Sequence, residues 1–210
     1  MKKLSLLLVV IMISIIGMAQ DFESKMLENT QKIEQKLQPV DFLKLSSEFE
    51  TLAIEYPKRF EAKYYQALCL IFNSFDEKDK IKKDVQLDNA EKLLITAEKQ
   101  NPQNAELYLL HTLCYQMKID VDPQKRGYEF SRKASLEMDK AVKIDSENPR
   151  YYFLKGQNVF YTPEQYGGGK EKAKPYFEKA EKLYKKAKRE NVLDPVWGKD
   201  TNAKQLKACK

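Results

Sequence analysis

A chain of 210 residues with a net charge of +6 and three cysteines is long enough for one globular domain or one short repeat array. The cysteines are too few, and their number is odd, for a small scaffold held together by disulfides. The positive charge is concentrated in residues 170–189, which carry nine Lys or Arg against three Glu. We interpret this stretch as the solvated face of a helix.

The first 19 residues predict a secretory signal peptide. Lys2 and Lys3 precede an apolar run over residues 4–16, and Gly17 and Ala19 place small residues at positions −3 and −1. The run is shorter than the about 20 residues of a membrane-spanning helix, and no cysteine follows it for lipid attachment. We therefore expect cleavage after Ala19 and a periplasmic or secreted protein. An integral membrane protein is excluded on this interpretation, and export argues against a nucleic-acid partner.

Beyond this leader the sequence repeats. Prolines stand at Pro57, Pro102, Pro149 and Pro195, separated by 45, 47 and 46 residues. Ahead of each proline lies a trio of small or apolar residues spaced four and three apart, which in a helix share one face. The trios are Leu45/Phe49/Leu52, Ala90/Leu94/Ala97, Ala134/Met138/Ala141 and Ala173/Phe177/Ala180. Alanine at the outer sites lets a second helix approach closely, and each proline ends one helix and suits the start of the next.

The repeating unit is therefore an antiparallel helix pair, in which helix A follows the proline and helix B carries the trio. One such pair cannot bury its apolar face alone, so neighbouring pairs must stack. No stretch alternates convincingly as a strand would. We predict an all-α fold, a right-handed superhelix of antiparallel helix pairs. An N-terminal pair covers 20–57, repeats cover 58–195, and a C-terminal capping helix covers 196–210.

These residues resemble the tetratricopeptide repeat (TPR). Besides the helix B trio, the family pattern asks for an aromatic, a small and a large residue in helix A. Tyr108, Thr112 and Tyr115 match it in one unit. The stretch GKEKAKPYFEKA, which begins at Gly169, is also similar to repeat proteins exported by Bacteroidetes.

The repeat departs from the family in length, with about 39 to 47 residues rather than 34. The surplus falls between helices A and B, over 76–86, 120–126 and 162–169. These three stretches are polar or glycine-rich, so we expect surface loops that emerge on one side of the array.

The histidine and two cysteines on these helices raise the question of a catalytic or metal site. Cys69 and Cys114 fall at equivalent places in successive repeats, where burial of a small residue explains them without chemistry. His111 stands where the family usually has Leu, and too few ligands surround it for a zinc site. The run YGGGKEK from Tyr166 lacks the strand and the Lys-Ser/Thr of a phosphate loop. We therefore predict no enzyme, no cofactor and no metal.

The resemblance implies a concave groove lined by helix A residues. Carried over to this chain, the groove residues are Tyr64, Leu68, Ile71, Phe72, Leu109, Leu113, Gln116, Met117, Phe153, Gln157 and Phe160. This set is more apolar than a solvated surface should be. Either a partner or ligand covers it, or the chain fills the groove itself, with the N-terminal helix over 22–37 or with the tail around Trp197.

The leading functional hypothesis is a non-enzymatic exported scaffold, which binds a protein or peptide through the groove or the insertion loops. The alternative is a periplasmic carrier of a small hydrophobic ligand, accessory to an envelope uptake system. A groove open at both ends favours the scaffold. An enclosed cavity of several hundred cubic ångströms favours the carrier.

If residues 1–19 are a leader, the protein recovered from the cell envelope or the medium begins at Gln20. N-terminal sequencing measures this directly. Changing Ala19 to Arg should block cleavage, because the cleavage site requires a small residue. Recovery of the unchanged protein with Met1 at its start, or of an acylated chain, would contradict the prediction.

Overall fold

The computed structural model describes residues 20–34 and 40–209, so the predicted signal peptide lies outside the described residues. Helix α1 covers residues 20–34. The other helices are α2 (Phe42–Glu55), α3 (Phe60–Asp76), α4 (Lys80–Gln100), α5 (Ala105–Val121), α6 (Pro123–Ile144), α7 (Pro149–Tyr161), α8 (Lys170–Lys186) and α9 (Lys199–Ala208). The described residues contain no strand, and none of their helices is long and apolar enough to cross a membrane.

The helices pack in consecutive pairs: α3 with α4, α5 with α6, and α7 with α8. The first helices of these pairs also contact one another, α3 with α5 and α5 with α7. They form an inner layer, and α4, α6 and α8 form the outer layer. Helix α9 packs on α8 at the end of the array. This arrangement confirms the predicted all-α, TPR-like solenoid of helix pairs.

The helix B trios are the buried contact between the two layers. All twelve of their side chains are buried, including the three on α2, which packs on α3. At one of these contacts helix A carries no side chain. A Cβ added to Gly156 of α7 would lie 2.5 Å from Cε1 of Phe177 on α8. The spacing of small and large residues in the sequence therefore determines how the paired helices pack.

Helix starts are set by residues near the repeating prolines. The Asn104 side chain accepts a hydrogen bond from the backbone N–H of Glu106 and so caps α5. Asn148 caps α7 in the same way, and Pro149 is the first residue of that helix. After Pro195 the pattern changes, because the next helix begins only at Lys199.

The prediction of loops between helices A and B is wrong for the first two insertions. Residues 80–86 and 123–126 are helical and form the first turns of α4 and α6. Asp79 and Asp122 cap these helices, which leaves very short connections. Charged side chains join the added turns, since the Arg126 guanidinium bonds both carboxylate oxygens of Asp84 at 2.6 and 2.7 Å. The surplus residues lengthen helix B because opposite charges on neighbouring helices pair there.

The third insertion, over residues 162–169, is a turn as predicted. It contains a short 3-10 helix, Glu164–Tyr166. Gly167 and Gly169 have φ of +87° and +103°, a left-handed conformation that favours glycine.

Replacing Gly156 with Ala should destabilise the protein by about 1–3 kcal/mol, because the new methyl group overlaps the Phe177 ring. Chemical denaturation measures this change in the free energy of unfolding. Gly127→Ala on α6 is the matched control, since nothing lies within 4 Å of its added Cβ. That change should stabilise the helix by about 0.5–1 kcal/mol. Equal effects of the two substitutions would contradict the proposed close packing at Gly156.

Candidate functional site

The predicted groove residues lie together on the inner layer, and most of them are buried. The buried ones are Tyr64, Leu68, Ile71, Leu109, Leu113 and Phe153. The half-buried ones are Phe72, Gln116, Met117, Gln157 and Phe160. The structure therefore does not leave this set as an open surface, and other parts of the same chain cover much of it.

The segment over residues 187–198, here called the tail, lies across the inner layer. The indole N–H of Trp197 donates a hydrogen bond of 2.7 Å to the hydroxyl of Tyr64. The Tyr65 hydroxyl donates to the carbonyl of Leu193 at 2.8 Å. The Trp197 ring also meets Phe153 edge-on, with 6.5 Å between ring centroids. The tail around Trp197 therefore fills part of the groove. This was one of the two ways in which we expected the chain to fill the groove itself.

Tyr64 is a groove residue whose role is to hold this tail. Burial, with a contribution from the nearby Glu106 carboxylate, raises the pKa of Tyr64 well above its ordinary value. The phenol therefore stays neutral and can accept the indole N–H at any physiological pH.

Arg150 is a second buried anchor of the tail. Its guanidinium pairs with Glu106 at 2.9 Å and donates to the backbone carbonyl of Pro195. It also lies 5.2 Å from the centroid of the Trp197 ring. A buried cation needs such partners, because an unpaired charge away from water is costly. Arg150 of α7 thus contacts the tail directly and is itself paired with Glu106 of α5.

Helix α1 is joined to the tail from the opposite side. The Arg189 guanidinium bonds both oxygens of Glu34 at 2.8 and 3.1 Å. This forked pairing fixes orientation better than a single contact does. Its partly exposed position limits its contribution to about 1 kcal/mol or less.

Between α1, the inner layer and the tail lies a half-open cavity of about 420 Å³, here called the cleft. Its volume falls within the range of small-molecule sites, about 300–1,000 Å³. Its apolar lining is Ile33, Val40, Phe42, Leu68, Phe72, Phe75, Leu113, Phe153, Val196 and Trp197. Its polar lining includes Thr30, Glu34, Tyr65, Asp76, Gln157, Asp200 and Thr201.

Three phenyl rings form one wall of the cleft. Phe72 lies 5.5 Å from Phe42, nearly perpendicular to it, and 5.5 Å from Phe75. Phe75 is 45% exposed and is the most accessible of the three rings. Deeper in the cleft, Oε1 of Gln157 is buried without a hydrogen-bond partner among the described residues. The arrangement suits a small, largely apolar molecule.

Part of this lining could not be read from the repeat. Phe75 lies one turn after Phe72 on the same helix, so helical spacing could have found it. Phe42 and Val196 come from α2 and the tail, outside helix A, and no repeat position marks them. Of the predicted groove residues, five line the cleft: Leu68, Phe72, Leu113, Phe153 and Gln157. A partner-binding role stays a prediction for all eleven.

The cysteines and the histidine lie outside the cleft. All three cysteines are free. Burial raises the pKa of the Cys69 and Cys114 thiols well above the ordinary value, so neither is an activated nucleophile. His111 is buried on α5, with Nδ1 2.6 Å from a carboxylate oxygen of Glu98.

The tail also borders a second concavity of about 590 Å³. Charged and amide side chains dominate its lining, among them Glu106, Asp145, Lys188, Arg189 and Glu190. It lacks the aromatic wall of the cleft. We therefore take the cleft as the candidate functional site.

Fold and cleft together define the class: a TPR-like, all-α protein that serves as a helical scaffold or carrier. The chain is similar to the HusA haemophore from Porphyromonas gingivalis, with 29% identity and a TM-score of 0.77 over 91% of this chain and 92% of that one. It is also similar to a thermophilic TPR protein of Thermus thermophilus, with 15% identity and a TM-score of 0.59 over 91% and 82% of the two chains. This second likeness confirms the fold.

No protein-family model matches the chain, and no curated protein matches it.

Replacing Tyr64 with Phe should cost about 1–3 kcal/mol of stability, because the buried N–H of Trp197 loses its acceptor. Trp197 is the single tryptophan of the chain, so its fluorescence during urea denaturation reports both stability and the tail. Tyr152→Phe is the matched control, since its hydroxyl bonds the Ser146 carbonyl at an exposed site. The control should change stability by about 0.5 kcal/mol or less. Similar values for both variants would show that the tail is not anchored through Tyr64.

Proposed function

We propose that this chain is an exported carrier of haem, or of a related flat and hydrophobic tetrapyrrole, bound in the cleft. The observation that carries the proposal is the aromatic-lined cleft in a chain that resembles a haemophore over 91% of its length. The tail occupies part of the groove along which a peptide would lie. This favours the carrier over a peptide-binding scaffold.

A flat ligand would bind mainly through apolar contact. Phe72 and Phe75 offer ring faces and edges at the mouth, and Phe153 and Leu113 form the deeper wall. Covering one exposed phenyl ring contributes about 1.5–3 kcal/mol. The open mouth lets the charged edge of a tetrapyrrole stay in water while its ring is buried. The Glu34 charge on the rim is offset by Arg189.

The cleft offers no strong axial ligand for iron. Among its described lining residues there is no histidine, cysteine or methionine, the side chains that commonly ligate haem iron along with tyrosine. The lining Tyr65 already donates its hydroxyl proton to the Leu193 carbonyl. The ligand would therefore be held by its ring, and iron-free protoporphyrin should bind about as tightly as haem.

Titration of the mature protein with haem and with iron-free protoporphyrin tests this. Quenching of Trp197 fluorescence is the readout, because this single tryptophan lines the cleft. Phe75→Ser should weaken both ligands at least about tenfold, which corresponds to about 1.4 kcal/mol. Since Phe75 is half exposed, the melting temperature should change little. Tyr128→Ser is the matched control, an aromatic side chain that is 87% exposed and outside the cleft.

Lack of saturable binding at micromolar concentrations would reject the carrier. So would binding that Phe75→Ser leaves unchanged. Binding of haem without binding of protoporphyrin would reject the ring-held mode and indicate coordination of iron instead.

A further inference from the structure

A histidine and two glutamates from three consecutive helices meet between the inner and outer layers. His111 on α5 is only 2% exposed, and its Nδ1 lies 2.6 Å from Oε1 of Glu98 on α4. Glu137 on α6 is also buried. One oxygen of each glutamate and one ring nitrogen of the histidine all lie within 4.8 Å of one another.

The second ring nitrogen of this histidine has no partner among the described residues. His111 Nε2 is buried and makes no hydrogen bond to any of them. Its ring is held in place by stacking on Tyr115, with 4.4 Å between centroids. Buried polar atoms in native proteins nearly always have a partner, and each exception requires an explanation. Nε2 is free to carry the imidazole proton when a cation replaces that proton on Nδ1, the nitrogen beside Glu98.

We propose that Glu98, His111 and Glu137 form a binding site for a divalent transition-metal cation of the Zn²⁺ class. Imidazole nitrogen and carboxylate oxygen are both zinc ligands, and three protein ligands leave a fourth position for water. Two carboxylates balance the charge of the cation. This site is separate from the cleft, since none of its three residues lines the cleft.

The geometry requires only a small adjustment. With metal–ligand bonds of about 2.0–2.2 Å, the ligand atoms of a tetrahedral site stand about 3.4 Å apart. The observed separations of up to 4.8 Å close to that distance with side-chain shifts of about 1 Å. Lys140 bonds both oxygens of Glu137 at 2.9 and 3.0 Å. Its side chain is 50% exposed, so its ammonium can move into water when a cation binds.

This proposal reverses the expectation of no metal that the sequence supports. That expectation considered His111 only together with Cys69 and Cys114. The structure instead pairs it with carboxylates of the two neighbouring helices, and the Cys114 sulfur bonds the Leu87 carbonyl. A thiol is thus not part of the site.

The test is titration of the untagged mature protein with Co²⁺, followed by displacement with Zn²⁺. A Cys209→Ser background removes the half-buried thiol that could bind these ions independently. We expect one equivalent of Co²⁺, visible by its d–d absorption, and a melting temperature that rises with added Zn²⁺. Affinity should fall as the pH drops, because protons compete for the histidine and the carboxylates.

Three variants separate the site from incidental binding. His111→Leu should weaken Co²⁺ binding at least about 100-fold, and Glu137→Gln should weaken it about tenfold. Each substitution removes one proposed ligand of the cation. Glu129→Gln is the matched control on the same helix, an exposed carboxylate paired with Lys133, and should bind as the parent does. If His111→Leu does not fold by circular dichroism, Glu98→Gln replaces it, since Glu98 is less buried.

No saturable Co²⁺ binding by the folded parent overturns the proposal. Equal binding by the parent and a folded ligand variant also overturns it. Because the readout is independent of porphyrin binding, either proposal can fail without the other.

Discussion

The close approach of consecutive helices through small side chains is the constraint on which the rest of the structure depends. Alanines of the helix B trios are fully or almost fully buried, and Gly156 lets α7 touch the Phe177 ring. Interiors packed at this density tolerate little added volume. Once each pair is fixed at this distance, α3, α5 and α7 line up as one layer. The groove is the side of that layer that faces away from the outer helices.

An apolar groove of this kind must be covered, and in this protein the chain supplies part of the cover. The tail brings Trp197 over the inner layer, and Tyr64 and Arg150 satisfy its buried polar groups. Helix α1 closes the opposite side through Glu34 and Arg189. The tail and helix α1 do not cover the whole inner layer, so the cleft remains between them. A surface that could have held a helix or a peptide becomes a recess sized for a small molecule.

The two candidate sites use different chemistry because they lie in different environments. The cleft is open to water at its mouth and offers aromatic rings, so it gains affinity by burying apolar surface. The cluster around His111 is enclosed between helix layers, where polar atoms must pair with one another or with an ion. The only histidine of the chain is therefore buried inside the repeat array and does not line the cleft.

Helical spacing determined the helix pairs, the trios at their contacts and the TPR-like fold, because spacing records which face of each helix is buried. The resemblance to the family added the groove residues, of which Leu68, Phe72, Leu113, Phe153 and Gln157 line the cleft. Helical spacing could not distinguish charged loops from charged helix turns at residues 80–86 and 123–126, since the pairing of Asp84 with Arg126 joins two helices. Nor could it show what covers the groove, or that Glu98 and Glu137 flank His111. Those outcomes depend on contacts between residues distant in the sequence, and only the packed tertiary structure decides them.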